Sequence, residues 1–327
     1  MLFLKYHLKK YPKMSNQDII KLIYQETLGP NHIIINKNDV TNYILKELEE
    51  YNNLNNNLYE YLGTNYVRMD IHKYYQYFNS IDSFVDLFFK SQSSNQDLSL
   101  FKETLNNFIS EEDLKDYNYL PVSHSDIYKS SYLPHYRIIK SSLLTIEHKV
   151  IQLDNYLSLL PSKSIISLEG RCASGKSTIT SKLNHKYTII PIDDFFLPIN
   201  LKTKERLNEI GGNINYELIK KTLIELKQAL KHNLEVFSYS AFDCSKQEYY
   251  TKEIILKDKV ILEGVYSASI YFREYIDKIA YLFVDKETQL KRINNRSLKD
   301  RFINEWIPLE EKYFEHILIE EIVDIII

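Results

Sequence analysis

Glycine is scarce in this chain: 7 of 327 residues, about 2 %, against a usual ~7 %. So few glycines are retained mainly where the backbone must reach positive φ or let another group come close. Gly29 and Gly63 lie in the first half; Gly170, Gly175, Gly211, Gly212 and Gly264 lie in the second, which marks the second half as the chemical one. Cysteine is scarcer still. Cys172 and Cys244 cannot build a disulfide framework or a four-cysteine zinc site and read as reduced thiols. No apolar run approaches the roughly 20 residues needed to span a bilayer, and the opening Met1–His7 breaks off too soon for the core of a signal peptide, so the expectation is cytoplasmic. Neither charge dominates. With 41 Lys plus Arg against 44 Asp plus Glu, the net charge is -3, and neither nucleic acid nor an anionic membrane is expected as a partner. A mean hydropathy of -0.34 and 44 % apolar residues fit a folded chain, long enough for two domains with their own cores.

Helical patterns fill the first half. From Ser15 the spacing predicts a helix capped by Ser15 or Asn16, with Ile19, Ile20, Leu22 and Ile23 on its apolar face and Gly29-Pro30 as its stop. Further helices are predicted over Asp39 to Leu48, Ile81 to Lys90, Asp97 to Ile109, and Ser110 to Tyr117, where Ser110 and Asp113 have capping-box spacing. Asn52 to Asn57 reads as a polar loop. The expectation is an all-α domain of unknown role over residues 1–137. Pro121 to Pro134 is richer in Ser, Tyr and His and leads through His135-Tyr136-Arg137 into a periodic run, Ile138 to Leu160, read as a connecting helix over 138–162. Pro121-Val122-Ser123-His124-Ser125 and Tyr132 to Arg137 can form a ligand site. His124 and His135 have no metal-binding constellation and read as surface or packing residues.

After Pro161 the rhythm changes. β-rich runs at Ser164 to Leu168, Tyr187 to Ile192, Leu234 to Tyr239, Lys259 to Leu262 and Ile279 to Val284 alternate with helical segments. That alternation predicts an α/β domain over 163–327 with a mainly parallel sheet flanked by helices. The terminal run Ile317 to Ile327, broken by three acids, suits a last buried strand.

Gly170-Arg171-Cys172-Ala173-Ser174-Gly175-Lys176-Ser177 fits G-x-x-x-x-G-K-[ST], directly after a predicted strand and before the helical run Thr178 to Leu183. Glycines at these positions let the amides from Arg171 to Ser177 curl around phosphate oxygens, and the helix N-terminus at Thr178 adds its dipole. Lys176 would bridge β- and γ-phosphates and Ser177 would ligate Mg²⁺. Cys172, at the same helix end, invites a redox switch, but a small residue tolerated in the loop is the preferred reading.

Two further runs end in acids. Ile189-Ile190-Pro191-Ile192-Asp193-Asp194 and Val260-Ile261-Leu262-Glu263-Gly264 would bring carboxylates to the strand ends that line a ligand crevice. One acid would accept a proton from an acceptor hydroxyl and another would hold the metal, with Gly264 relieving crowding near phosphate. Arg292, Arg296 and Arg301 lie on and after the helical run Lys286 to Asn295, where guanidinium groups can close over a transferring phosphoryl.

Together with the loop, several stretches resemble the uridine kinase and phosphoribulokinase group of P-loop kinases: Pro191 to Pro198, Gly211-Gly212-Asn213-Ile214-Asn215-Tyr216, Phe242-Asp243-Cys244, Ile261 to Ser267 and Trp306 to Glu310. The resemblance runs from about Ser164 to the C-terminus. It implies an ATP- or GTP-dependent kinase using Mg²⁺, with Asp193 as general base and metal ligand, Glu263 as a second metal ligand, and Arg292 and Arg296 in an Arg-rich lid. It implies a nucleoside-like acceptor, the 5′-hydroxyl of uridine or cytidine. Two departures fall on the acceptor side: relatives usually carry Asp where this chain has Asn215, and Tyr-Arg-Pro where it has Tyr239-Ser240-Ala241. The alternatives are therefore a kinase for another hydroxyl compound, such as a sugar phosphate or pantothenate-like molecule, and a nucleotide-sensing module without turnover. Oligomeric state is not encoded in these patterns.

Overall fold

The computed structural model describes residues 3–30, 36–50, 56–92, 98–115 and 117–327. Two compact units divide the chain, Met1–Tyr156 and Leu157–Ile327. The Asn-rich loop predicted over 52–57 lies outside the described residues except for Asn56 and Asn57.

In the first unit, helix Asn16–Leu28 starts on a capping box between Ser15 and Asp18 and ends at Gly29, whose φ of +64° only glycine adopts readily. Its apolar face, Ile20, Ile23, Tyr24 and Leu28, packs on Phe101 and Leu105 of helix Leu98–Phe108. Helices Lys37–Glu50 and Ile81–Ser91 also form where periodicity places them.

The unit is not all-α, however. Strands β1 (Tyr59–Tyr61), β2 (Tyr66–Asp70) and β3 (Tyr136–Lys140) form an antiparallel sheet in the order β1-β2-β3. Every residue of β1 and β2 is buried, including Glu60, Arg68 and Asp70, so the alternation that normally marks a strand is missing. The charges are tolerated because they are partnered: Lys10 Nζ donates to Glu60 at 2.6 Å, and Arg68 Nε donates to Gln25 Oε1 at 3.1 Å. The connecting helix is correspondingly shorter than expected. Residues 136–140 pair with β2, and the helix proper is Ile146–Ser158. Ile138 and Ile139 satisfy a helical period with the leucines that follow, but the sheet takes them.

The second unit contains strands β4 (Ile165–Glu169), β5 (Thr188–Pro191), β6 (Val236–Asp243), β7 (Glu248–Ile255), β8 (Val260–Glu263), β9 (Lys278–Tyr281) and β10 (Ile325–Ile326). Five make a parallel sheet in the order β10-β9-β4-β8-β5. Their short apolar runs are buried on both faces, as parallel strands covered by helices must be. Because β4 is central, with Leu168 registered against Glu263 of β8 and Pro191 of β5 against that same Glu263, three carboxyl ends open into one crevice. The β-run predicted near Leu234 is not part of this sheet. It pairs with β7 as a separate antiparallel hairpin, one face of which stays exposed, so it needs no second covering layer. The terminal run ends in β10, after helices Ile307–Ile317 and Ile319–Ile322.

Candidate active site

The loop after β4 carries its strain where small residues stand. Gly170 has φ +157°, Gly175 has φ +105° and Ala173 has φ +58°. A Cβ on Gly170 would lie 2.7 Å from the carbonyl oxygen of Leu282, so that glycine is required for space; at Gly175 the surroundings are open and the requirement is conformational. Helix Lys176–Leu183 follows at once.

The loop amides fall into two groups. Three have partners within the protein: Gly170 N–H donates to Glu169 Oε1 (2.8 Å), Cys172 N–H to Glu310 Oε2 (3.0 Å) and Ser174 N–H to the Arg171 carbonyl (3.2 Å). Among the described residues, no acceptor meets the amides of Ala173, Gly175, Lys176, Ser177 or Thr178. These five residues line a cavity of about 350 Å³. A run of unsatisfied donors at a helix N-terminus has the chemistry that suits an anion. The buried Lys176 side chain curls over the loop, its Nζ donating to the carbonyls of Gly170 (2.6 Å) and Arg171 (3.0 Å).

Asp193 and Glu263 line the same cavity. Asp193 sits in the 3₁₀ turn Ile192–Phe195 that follows β5, accessible at the cleft yet crowded by protein. That crowding raises its pKa, and Lys176 pulls it partly back. No hydrogen bond or ion pair of the described residues engages its carboxylate. Its neighbour is fully committed: Asp194 is buried, accepts from the Tyr239 hydroxyl, and pairs with Lys252 Nζ at 2.9 Å. The adjacent acids thus have different surroundings, one free in the cleft and one tied to the β6–β7 hairpin. Glu263, at the end of β8, is also raised by burial, with Lys176 opposing and Asp193 adding to the shift. Ser177 Oγ donates to Glu263 Oε1 at 3.3 Å.

Among the described residues, no group of three or more His, Cys, Asp and Glu side chains gathers as a closed metal cage. A Mg²⁺ ion needs less, since it binds one or two carboxylates and takes its other ligands from substrate phosphates and water. Ser177 Oγ, Asp193 and Glu263 are a hard-oxygen set that fits it.

The arginines part company. Arg296 lines the cavity, stacks at 5.3 Å on the Phe302 ring and adds positive potential at Asp193. Arg292 is not among the lining residues; its Nη1 donates to the carbonyls of Ala173 and Ser174, each at 2.9 Å, which braces the loop from outside. Arg301 pairs with Glu305 at 3.2 Å and lies over Trp306, also away from the cavity wall. The Arg171 side chain turns outward to Glu311 at 2.9 Å.

Gly264 relieves crowding, but against protein: a Cβ there would lie 2.6 Å from Cβ of Ile192, not against a phosphate position. Cys172 has the opposite of an activated thiol. Burial, and then Glu310 beside it, push its pKa up to about 12, outweighing the helix end.

Sequence reasoning assigned no role to Glu310 or to the aromatic wall of Phe196, Tyr266, Phe302 and Trp306. Glu310 is buried in helix Ile307–Ile317, far along the chain from the loop it touches; the resemblance covered the stretch Trp306 to Glu310 but gave its acid no task. Phe196, Tyr266 and Trp306 also lie in stretches that carry the resemblance; Phe302 and Trp306 bound a π-helical turn, Phe302–Trp306. Asn215 caps helix Tyr216–Lys231 by accepting from Leu218 N–H at 3.0 Å, so its side chain serves the fold.

A Gly-x-x-x-x-Gly-Lys-Ser loop between the central strand of a parallel sheet and a helix, with strand-end acids and the helix-start lysine around one cavity, gives the second unit a P-loop kinase-like fold. No family model matches the chain, and no curated protein matches it. Among solved structures, it is similar to a protein described as a possible uridine kinase from Bacillus stearothermophilus, at 15 % identity and a TM-score of 0.45, over 56 % of this chain and 99 % of that one. It is also similar to a proposed fructose transport system kinase from Silicibacter sp. TM1040, at 20 % identity and a TM-score of 0.37, over 53 % of this chain and 89 % of that one.

Proposed function

We propose that the second unit is an ATP- or GTP-dependent kinase that transfers a γ-phosphoryl group to a hydroxyl of a small molecule, and that this hydroxyl is the 5′-hydroxyl of uridine or cytidine. The observation that carries the reading is the pairing of five unpartnered amides with a free carboxylate, Asp193, across one cavity. A structural acid would be satisfied, as Asp194 is.

In this reading the amides of Ala173 and Gly175 to Thr178 hold the phosphate oxygens, and Lys176 leaves its two carbonyls to follow the β- and γ-phosphates. Ser177 Oγ, Asp193 and Glu263 would hold Mg²⁺, which when bound would supply charge neutralisation. Asp193 accepts the hydroxyl proton, and its raised pKa makes it a better base than an ordinary aspartate. Arg296 faces the developing charge from the cleft wall. The aromatic wall gives a flat acceptor a surface to stack on.

A second reading keeps the donor and changes the acceptor to a sugar phosphate or pantothenate-like compound. It is favoured by Asn215, which is engaged as a helix cap where relatives of the resembled group carry an acid. ADP release measured across uridine, cytidine, sugar phosphates and pantothenate-like alcohols separates the two. Turnover with a nucleoside supports the first reading, and turnover with another acceptor supports the second. Tight ATP binding without acceptor-dependent turnover overturns both and leaves a nucleotide sensor.

A further inference from the structure

The first unit has a cavity of its own, about 360 Å³, within the range of small-molecule sites. It lies among helices Asn16–Leu28, Lys37–Glu50 and Ile81–Ser91 and strand β3. Its walls divide by chemistry. Lys21, Gln25, His124, Tyr136 and Arg137 supply polar groups, while Val40, Tyr43, Phe88 and Pro134 supply apolar surface.

Behind the polar wall is a chain of hydrogen bonds fixed from below. Asp18 is fully buried and accepts from Ser15 N–H (3.0 Å) and Oγ (2.8 Å) and from Ser125 N–H (3.0 Å) and Oγ (2.7 Å). Burial works against its charge, but those bonds, Ser125 foremost, hold its pKa down at about 2. An ionised Asp18 can only accept, so His124 Nδ1, 3.0 Å away, must carry the hydrogen. Nε2 is then an acceptor, and the Tyr136 hydroxyl donates to it at 2.5 Å. The Tyr136 oxygen in turn accepts from Gln25 Nε2 at 3.1 Å. His124 and Tyr136 are thereby locked in orientation at the cavity wall, a degree of preorganisation that the packing role expected of His124 does not need.

Most charges around the cavity are matched. Arg137 pairs with Glu47 at 2.7 Å, and Arg68, beneath the wall, is held by Gln25 and the Tyr128 hydroxyl with Glu60 at 3.9 Å. Lys21 is the exception among the described lining residues. Its half-buried ammonium donates to the Val122 carbonyl at 3.0 Å and has no carboxylate in ion-pair range. Burial, and then the charge of Arg68, pull its pKa down to about 8, and the charge of Asp18 offsets them only in part. Keeping such a cation at a cavity wall costs stability that a bound anion would return.

The geometry points to a second ligand site in the first unit, which takes a small organic anion, a carboxylate or phosphate ester on a flat apolar body. The anionic head meets the two free N–H groups of Lys21. The body lies between Tyr43 and Phe88, and the tethered Tyr136 and His124 fix the orientation of the wall it rests on. Nothing in this inference depends on the kinase reading.

The test is calorimetric titration of the full chain carrying Lys176→Ala, so that binding at the P-loop is weakened and the failure of either reading is seen separately. Phenyl phosphate and benzoate are the anionic probes and benzyl alcohol the neutral one. The expected result is one-to-one binding of at least one anion, weakened at least about tenfold by Lys21→Met, as loss of a charge-assisted contact requires, with benzyl alcohol weaker by a similar factor. Tyr43→Ala, a change at an exposed ring that leaves the fold intact, also weakens it. The proposal is overturned if no anion binds at millimolar concentration, or if binding is equal in Lys21→Met and Tyr43→Ala. Should Lys21→Met fail to fold, Lys21→Gln and Tyr43→Ala decide the matter.

Discussion

Arg292→Ala separates a residue that braces the P-loop from one that touches the transferring phosphoryl group. Its Nη1 donates to two successive loop carbonyls, Ala173 and Ser174, each at 2.9 Å, in the peptide groups that carry the amides of Ser174 and Gly175. Charged hydrogen bonds contribute ~1.5–3 kcal/mol when shielded, and the exposure of this guanidinium reduces each to about 1 kcal/mol. Losing both loosens the loop by about 1–2 kcal/mol, so the Kd for ATP should rise ~5–30-fold. The chemical step should change less than about threefold, because the loss falls equally on ground and transition states. Titration of the nucleotide together with single-turnover transfer measures both, and Arg292→Lys, with fewer donors, should be intermediate. A fall of about 100-fold in kcat with unchanged ATP affinity would show instead that Arg292 reaches the phosphoryl group.

Acid should weaken the first unit more than the second. His7, His124 and His148 in the first unit have pKa values lowered by burial to about 4, 3 and 4, so the unfolded state binds more protons and stability falls as pH drops below about 6.5. Glu26, raised to about 7, opposes them in part; in the second unit Glu169, also raised by burial to about 7, gains stability over the same range. Calorimetry between pH 7 and 5, with Trp306 fluorescence reporting on the second unit, should show the first unit's transition falling while the second's holds; the reverse order contradicts the assignment. Gly264→Ala places Cβ 2.6 Å from Ile192 at φ +149° and should cost ~2–4 kcal/mol in urea unfolding, and a loss under about 0.5 kcal/mol would show that β5 and β8 yield. Alkylation at neutral pH should spare Cys172, whose pKa stands at about 12, and modify the exposed Cys244 first; prompt labelling of Cys172 in the folded protein would restore the redox switch.

How much could be read in advance depended on whether a residue's task was local. The P-loop is a contiguous motif whose glycines, lysine and serine each act within eight positions, and β4, β5 and β8 announce themselves as short apolar runs. Helix Asn16–Leu28 was legible down to its cap and its terminating glycine. The sheet of the first unit was not, because β1 and β2 bury charged residues that only distant partners such as Lys10 and Gln25 neutralise. The same limit hid the contact between Glu310 and Cys172, 138 positions apart, and the tie of Asp18 to His124, 106 positions apart. By residue chemistry alone Asp193 and Asp194 are alike, and only the resemblance singled out Asp193; in the structure Tyr239 and Lys252 engage Asp194.

The central claim is that Asp193 directs an acceptor hydroxyl at a phosphate held by the loop amides. Transfer from γ-labelled ATP to the best acceptor, measured beside ATP affinity in the wild type and in Asp193→Asn, tests it most directly. The account predicts a folded variant that binds ATP within a few-fold of the wild type while transfer falls by ~10²–10⁴-fold. Near-normal transfer by Asp193→Asn to every accepted substrate would contradict it.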